Sequence, residues 1–326
     1  MMMNFKGLSV LSFFKALAQL IRLPNVLIMV FAQFMLRYCI LEPYVYEGEP
    51  GLISTLPDFL ILVFATMLVA VGGYVINDYF DVKTDAINRP EKLVVNKLIS
   101  ARGAIKVHML LNGLAILLGF YLSYRLKALT FAFLFPFVSG LIWIYSAKYK
   151  RMAFWGNFLA ACFTVFVILI VWLFEFFWLR FNAVHFVAVI PEISSVTYIF
   201  AGYALFAFLI SMVREIIKDM EDTEGDKSLG FRTIPLVFGM IKTRYLVAAL
   251  IVFGMALLGY VQMILFRLEL RMVFWYFLVA VQMPLIYFLV KLFGARDKQD
   301  YHFLSYFCNL IMVAGILSME LLFISN

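Results

Sequence analysis

Charged residues are scarce in this sequence. Asp, Glu, Lys and Arg make up 14% of its 326 residues, whereas about 25% is typical of soluble proteins. Hydrophobic residues account for 65% of the chain. This composition excludes an ordinary soluble domain and indicates a polytopic helical membrane protein.

Histidine and cysteine are also few, with three of each. Cys39, Cys162 and Cys308 lie in separate apolar runs and lack the paired spacing of a zinc site. We therefore expect buried structural thiols, and we assign no chemistry to the scattered histidines. The net charge of +7 could indicate a nucleic-acid partner, but the distribution of the basic residues indicates membrane topology instead.

Nine apolar runs are long enough to cross a bilayer, which takes ~20 residues each. We predict spans at about residues 20–41, 57–76, 104–124, 128–146, 153–175, 195–214, 245–266, 272–293 and 303–323. No small-residue cleavage site closes the first run, so we expect no removable signal peptide. No linker divides the chain. The sequence therefore predicts an all-α protein in which residues 1–326 form a single bundle of about nine transmembrane helices.

The basic residues predict the orientation of this bundle. All but six of the 27 Lys and Arg residues lie on the N-terminal side or after even-numbered spans. Basic residues favour the cytoplasmic side, so the N-terminus and these segments are predicted to be cytoplasmic. An odd number of spans then places the C-terminus outside, and we expect the protein in the cytoplasmic (inner) membrane. The six on the other side are Arg37, Arg125, Lys127, Arg180, Arg267 and Arg271.

The most informative stretch follows the second span and reads Asn77-Asp78-Tyr79-Phe80-Asp81-Val82-Lys83-Thr84-Asp85. Its aspartates are three and four residues apart, which places them within an arc of ~60° on a helix that turns ~100° per residue. Like charges on one helix face are unfavourable by themselves. A cation reverses that balance, and carboxylate oxygens suit Mg²⁺, which is usually completed by waters and substrate phosphates.

The same spacing returns downstream in Asp219, Asp222 and Asp226. Both motifs lie in long polar segments, residues 77–103 and 215–244, which are predicted to be cytoplasmic loops. We interpret them as facing sites that hold two or more Mg²⁺ ions around one diphosphate. Basic residues near the motifs can contact the diphosphate oxygens, Arg through paired hydrogen bonds; these are Arg89, Arg214, Lys218, Lys227 and Arg232.

Two further polar groups are candidates for substrate contact. After span four the chain reads Tyr145-Ser146-Ala147-Lys148-Tyr149-Lys150-Arg151, and Asn157 follows. Tyr145 is placed to orient a phosphate oxygen or the acceptor. Lys148, Lys150 and Arg151 are candidates for binding the phosphate of an acceptor, and positive-inside topology alone is the alternative explanation for Lys148 and Arg151. Near the start of span one, polar residues are expected to face the bundle interior: Arg22, Asn25 and Gln33. For Gln33, packing is the alternative.

These residues carry a family resemblance. Asn77-Asp78-x-x-Asp81-x-x-x-Asp85 and Asp219-x-x-Asp222-x-x-x-Asp226 resemble the two Asp-rich motifs of the UbiA superfamily of intramembrane prenyltransferases. Nine spans with both motifs on the cytoplasmic side match that architecture, so the resemblance covers essentially the whole chain. It implies that Asn77 and the six aspartates bind Mg²⁺ and diphosphate, with Asp78, Asp81, Asp219 and Asp222 catalytic. Arg22 and Asn25 match the polar start of the family's first helix. Tyr145 and Lys150 match its Tyr and Lys after the fourth helix, and the resemblance implies that both are catalytic.

Within the superfamily, three segments most resemble enzymes that transfer geranylgeranyl to a prenylglycerol phosphate. They are residues 85–90, 214–219 and 230–235. One departure follows Asn88-Arg89-Pro90, where the family commonly has a second Arg-Pro and then a Gly. Asn96 stands at the position of that Gly. Because Asn tolerates a left-handed backbone, we expect Asn96 to take the conformation that Gly would take.

The sequence thus predicts Mg²⁺-dependent transfer of a polyprenyl group from an allylic diphosphate to a lipophilic acceptor. A prenylglycerol phosphate is the first choice of acceptor; the alternatives are an aromatic or quinone precursor (hydroxybenzoate, naphthoate) and a tetrapyrrole. Two other classes remain as alternatives. A cation-coupled transporter tends to place its ionisable groups near the bilayer midplane, and a membrane anchor leaves the paired motifs unexplained. The expected partners are donor, acceptor and membrane lipids, with no nucleic acid.

Overall fold

The computed structural model describes residues 18–46, 53–90, 93–97, 99–181, 186–187 and 189–325. Within these residues, nine helices are long and apolar enough to cross a membrane, and they confirm the predicted spans. They are α1 Leu23–Val45, α2 Leu56–Asn88, α3 Ala101–Arg125, α4 Leu129–Ala147, α5 Trp155–Phe181, α6 Ile190–Glu221, α7 Met240–Arg267, α8 Arg271–Gly294 and α9 Lys298–Ile324. Residues 1–17 lie outside the described residues, and the absence of a removable signal peptide stays a prediction.

Local sequence signals determine both ends of α2. Thr55 is its N-cap and accepts a hydrogen bond from a backbone N–H of the first turn. Pro57 occupies that same turn, where a missing N–H costs no intrahelical hydrogen bond. The helix ends at Asn88 because Pro90 disfavours helical backbone at Arg89, whose φ is −148°. One helix therefore carries both an apolar span and the first Asp motif.

The two Asp-rich segments contain more helix than the predicted loops at 77–103 and 215–244. α2 continues through its polar end to Asn88, and α6 continues to Glu221, followed by a short helix over Thr223–Ser228. Hydropathy marks where a span leaves the hydrocarbon. It does not mark where the helix ends, because a helix satisfies its own backbone hydrogen bonds and can continue into polar sequence.

Two spans contain π-helical turns. In α8 the turn Leu278–Gln282 is π-helical and is followed by Pro284, which has no N–H to donate to the preceding turn. The π-helical stretch Leu36–Tyr46 forms the C-terminal part of α1, extends one residue beyond it and includes Pro43. Proline and π-helical turns are the usual causes of helix bending.

The helices group into two compact units. The first unit contains the described residues within Met1–Phe31, Ser54–Lys150 and Phe174–Ala183, and the second contains those within Ala32–Ile53, Arg151–Leu173 and Val184–Asn326. A single domain over residues 1–326 stays a prediction.

Close approach of α2 and α3 organises the first unit. A Cβ on Gly72 would lie 2.3 Å from Asn112 Nδ2, so a larger residue here would displace the Asn112 side chain. The Gly72 carbonyl lies 2.8 Å from His108 Nδ1, and Asn112 Nδ2 donates to the His108 carbonyl at 3.0 Å. These bonds pair buried polar groups of His108 and Asn112 with backbone carbonyls of α2 and α3.

Buried polar contacts also connect the helices of the second unit. Tyr203 OH on α6 lies 2.8 Å from Ser318 Oγ on α9. Gln33 on α1 is fully buried and donates from Nε2 to the Val167 carbonyl of α5 at 3.2 Å. Gln33 therefore faces the protein interior, as predicted, and its amide serves packing between two spans.

All three cysteines are free thiols. Cys39 and Cys308 are buried, as predicted, whereas the prediction for Cys162 was wrong because this residue is only half-buried. Cys162 lies on α5, and only 39% of the most apolar 18-residue stretch of that helix is buried inside the protein. In a membrane an apolar residue can face lipid as readily as protein, so an apolar run by itself does not establish burial.

Candidate active site

The first Asp motif lies on the C-terminal part of α2, in the first unit. Asp78 Oδ1 accepts a hydrogen bond from Arg22 Nη2 at 2.9 Å. Asp81 is buried and pairs with the Lys150 ammonium, while Asp85 is half-buried. The structure thus brings together three parts of the chain that the sequence singled out separately.

Arg22 is held in place on several sides. Its φ of 50° lies in the left-handed region, which costs a non-glycine residue roughly 1–2 kcal/mol. The Arg22 carbonyl accepts a hydrogen bond from Asn25 N at 2.9 Å. Its guanidinium carbon lies 4.9 Å from the centroid of the Tyr74 ring, and Tyr74 precedes Asp78 by one helical turn. The guanidinium is therefore fixed between an aromatic face and a carboxylate.

Both cations of the first motif stay charged at neutral pH. Desolvation has the largest single effect on Lys150 and lowers its pKa, but attraction from Asp81 and Tyr145 outweighs it, so the pKa of Lys150 lies above its usual value. Desolvation likewise lowers the pKa of Arg22, and Asp78 is the first of several groups that together raise it above its usual value. Tyr145 therefore lies near Lys150. The first motif is accompanied by two side chains that stay positively charged, Arg22 and Lys150.

The side chain of Asn77 has an amide oxygen that no other group in the described part of the chain uses as a hydrogen-bond acceptor. The residue is buried, and its Oδ1 accepts no hydrogen bond from any described residue. An unsatisfied buried acceptor costs about 1–3 kcal/mol. An amide oxygen adjacent to Asp78 is also a good ligand for a hard cation, so the position fits the role that the sequence predicted for Asn77.

The second Asp motif, in the second unit, spans the end of α6 and the short helix Thr223–Ser228. Asp219 Oδ2 accepts a hydrogen bond from Asn157 Nδ2 at 2.8 Å, and Asn157 is buried near the start of α5. Asp222 separates the two helices, with φ −95° and ψ 9°. Asp226 is buried on the short helix. Unlike the first motif, the second is therefore spread over two helical segments.

The cations predicted near the two motifs differ in their contacts. Arg214 Nη1 and Lys218 Nζ both donate to Glu215, at 3.0 and 3.1 Å. Sequence reasoning did not include Glu215, although its position three residues before Lys218 is a recognisable helical ion pair. Arg232 is exposed, and Arg89 is half-buried where α2 ends.

A histidine–glutamate pair was also missed. His302 Nδ1 on α9 lies 3.0 Å from Glu221 Oε1, and the Glu221 side chain is buried at the end of α6. No chemistry was assigned to His302 from the sequence. The two residues are 81 positions apart, so no local pattern could have indicated that they meet.

The donor chemistry of the motifs fits Mg²⁺. Among the residues described, no three His, Cys, Asp or Glu side chains already form a cluster that could hold a metal ion. In the first motif the carboxylates of Asp78 and Asp81 are directed to cations of the protein. The ligands that the motifs offer are nevertheless all carboxylate or amide oxygens, which is the set that Mg²⁺ prefers.

Comparison with known proteins identifies related sequences. The model of the UbiA prenyltransferase family matches residues 48–311. A digeranylgeranylglyceryl phosphate synthase of Thermococcus sibiricus is 31% identical over 192 residues, covering 58% of this chain and 60% of that protein. One from Pyrococcus furiosus is 31% identical over 205 residues, covering 62% of this chain and 63% of that protein. The match thus spans less than two thirds of these relatives' lengths.

Solved structures share the fold over nearly the whole chain. A structure described as giving insights into the biosynthesis of digeranylgeranylglyceryl phosphate synthase in membranes aligns with a TM-score of 0.54 and 22% identity, covering 94% of this chain and 98% of that one. A UbiA homologue from Archaeoglobus fulgidus bound to GPP and Mg²⁺ aligns with a TM-score of 0.55 and 14% identity, covering 94% and 99%. At these identities the likeness establishes the fold.

Proposed function

Because the chain belongs to the UbiA prenyltransferase family, we propose that it transfers a polyprenyl group from an allylic diphosphate to a lipophilic acceptor. The observation that carries this proposal is the charge arrangement of the first motif, where Arg22 and Lys150 are bonded to its carboxylates. Carboxylates with fixed cations beside them suit an anion that is bound partly through a metal. A protein that only chelates a cation has no use for these cations, and a transporter is therefore disfavoured.

The residues proposed to hold Mg²⁺ are Asn77, Asp78, Asp81, Asp85, Asp219, Asp222 and Asp226. Bound there, Mg²⁺ would act as a Lewis acid that neutralises the diphosphate as it leaves. Two features support this donor set: every ligand is a hard oxygen, and the Asn77 amide oxygen has no other partner in the described part of the chain.

Arg22 and Lys150 are proposed to stabilise the charge that develops on the leaving group. Cleavage of the allylic carbon–oxygen bond places negative charge on the diphosphate. A cation that is fixed before the reaction stabilises this charge more than it stabilises the bound substrate, and so lowers the barrier. The Tyr74 ring and the Asp78 carboxylate fix Arg22 in this way, and Asp81 does the same for Lys150.

Asn157 is proposed to orient the Asp219 carboxylate. Its amide donates to one oxygen, Oδ2, at 2.8 Å. A donor on one oxygen restricts rotation of the carboxylate and leaves the other oxygen to act as a ligand. Asn157, which we predicted to contact substrate, would thus act on the diphosphate site through Asp219.

The proposed acceptor is a prenylglycerol phosphate, which needs cationic contacts beyond those for the donor. The exposed Lys148 and the half-buried Arg151 between α4 and α5 supply such charge, and the relatives named above carry the name of a synthase with this kind of product. Incubating membranes with labelled prenyl diphosphates and a panel of acceptors tests the assignment. If the enzyme prenylates hydroxybenzoate, naphthoate or a tetrapyrrole and does not prenylate prenylglycerol phosphates, that compound replaces the prenylglycerol phosphate as the acceptor.

Arg151→Ala is expected to raise the apparent KM for a prenylglycerol phosphate by about tenfold, since a hydrogen bond to a charged group contributes about 1.5–3 kcal/mol. The KM for the prenyl diphosphate is expected to change less, because the donor cations proposed above are Arg22 and Lys150. Initial rates measured while each substrate is varied separately will check this. Equal increases in both KM values would contradict a specific role with the acceptor.

The chain is an integral membrane protein, and we propose that its N-terminus lies in the cytoplasm and its C-terminus outside. The asymmetry of Lys and Arg supports this orientation. A topology reporter fused after Asn326 is expected to read outside, and one inserted near Glu91 to read cytoplasmic. Reporters that read on the same side would contradict the odd number of spans.

A further inference from the structure

The segment that carries Arg151 is joined to the segment that follows the second Asp motif. Arg232 N donates to the Arg151 carbonyl at 3.0 Å, and Met152 and Arg232 form an isolated β-bridge. The guanidinium carbon of Arg151 lies 4.9 Å from the centroid of the Phe231 ring. All of these residues belong to the second unit. A backbone contact and a side-chain contact thus hold the two segments together.

The backbone of Phe231 is in turn bonded to the second Asp motif. The short helix Thr223–Ser228 ends in a Schellman motif, in which Gly230 adopts a left-handed φ of 70°. Gly230 N donates to the Lys227 carbonyl at 3.2 Å, and Phe231 N donates to the Asp226 carbonyl at 2.9 Å. This helix end determines where the Phe231 ring lies, and the ring lies against Arg151.

We infer that Phe231 is a positioning residue for the acceptor, which holds the Arg151 guanidinium ready for a phosphate monoester. The inference rests on the proposed function, in which Arg151 contacts the acceptor phosphate. A ring against the face of a guanidinium limits its rotamers without covering its N–H edges, which are the groups that form paired hydrogen bonds to phosphate oxygens. Ordering this side chain before binding lowers the entropy cost of recognising the acceptor.

The decisive variant is Phe231→Leu, which removes the aromatic ring and keeps an apolar side chain. The apparent KM for a prenylglycerol phosphate is expected to rise about three- to tenfold, in the range of a cation–π contact. Both kcat and the KM for the prenyl diphosphate are expected to stay within about twofold of wild type. Phe231→Tyr and Phe231→Trp keep an aromatic face and are expected to restore the wild-type KM.

Two matched comparisons separate positioning from a structural defect. With a dephosphorylated prenylglycerol as acceptor, Phe231→Leu is expected to have no effect, because that acceptor offers Arg151 no phosphate. Phe266→Leu makes the same substitution at a remote contact, where the guanidinium carbon of Arg271 lies 5.9 Å from the ring centroid. It is expected to leave the KM for the phosphorylated acceptor unchanged.

The double variant with Arg151→Ala shows whether Phe231 acts through Arg151. If it does, adding Phe231→Leu to Arg151→Ala produces no further rise in the acceptor KM. A full additional rise would overturn the inference, as would an unchanged acceptor KM in Phe231→Leu or an equal loss with the dephosphorylated acceptor. If Phe231→Leu does not accumulate in membranes, Phe231→Met makes the same test.

Failure of the proposed function gives a different result. If Arg151→Ala alone leaves the acceptor KM unchanged, the acceptor contact assigned to Arg151 is wrong, and the positioning role of Phe231 fails with it. If Arg151→Ala raises the acceptor KM and Phe231→Leu does not, only the positioning role is overturned.

Discussion

Replacing Asp78 or Asp222 by alanine is expected to lower kcat by about 100-fold or more, as when an enzyme loses a major electrostatic stabiliser. Each change removes a proposed Mg²⁺ ligand from a different motif. Asp78→Ala also leaves the Arg22 guanidinium without the carboxylate that it contacts at 2.9 Å. Initial rates with the enzyme in membranes, normalised to the amount of protein, will measure the effect.

Two further variants separate loss of chemistry from loss of fold. Asp78→Asn keeps the side-chain volume and an oxygen that can still accept from Arg22, but it lacks the carboxylate charge. It is expected to be nearly as impaired as Asp78→Ala. Glu224→Ala removes an exposed carboxylate two residues after Asp222 and is expected to retain wild-type activity. Full activity in either Asp78→Ala or Asp222→Ala would show that the two motifs do not form the site.

Removing divalent metal with EDTA is expected to abolish prenyl transfer, and adding Mg²⁺ is expected to restore it. The two motifs contain six aspartates, and without a metal their charge repels a diphosphate. Arg22 and Lys150 cannot offset this repulsion alone, since both already pair with carboxylates of the first motif. Measuring the rate against free Mg²⁺ concentration will test the requirement.

A metal of different coordination preference provides the control for this experiment. Ca²⁺ takes more ligands at longer distances than Mg²⁺, so it is expected to restore much less activity at the same concentration. Undiminished transfer in EDTA would contradict a metal-bound diphosphate. The aspartates would then need another explanation, for instance as partners of the basic residues around them.

The sequence by itself determined the membrane-spanning architecture. Nine runs of about 20 apolar residues can lie only in a bilayer or in a very large core, and all nine were found as helices. Backbone conformation was equally predictable where the type of a single residue decides it. Asn96 adopts a φ of 69°, as expected of the residue that stands where Gly would be. The two Asp motifs were recognisable because their spacing depends only on helical periodicity.

Helix ends were less predictable, because hydropathy and helix length respond to different forces. Water replaces lipid where the apolar run stops, but the hydrogen bonds of a helix continue until a residue such as Pro90 prevents them. The first motif is therefore helical to Asn88. The second is interrupted at Asp222, where α6 ends and a short helix follows.

Only the tertiary structure decided which cation meets which carboxylate. Arg22 contacts Asp78 across 56 residues, and Lys150 contacts Asp81 across 69. A chain with many basic residues offers many such pairings, and the sequence did not indicate that Lys150 would meet the first motif. The contact between Phe231 and Arg151 had no sequence signal, because it depends on a helix cap that turns one segment onto another. Periodicity acts within a helix, whereas these contacts depend on how separate helices pack, and a single sequence does not encode that packing as a readable pattern.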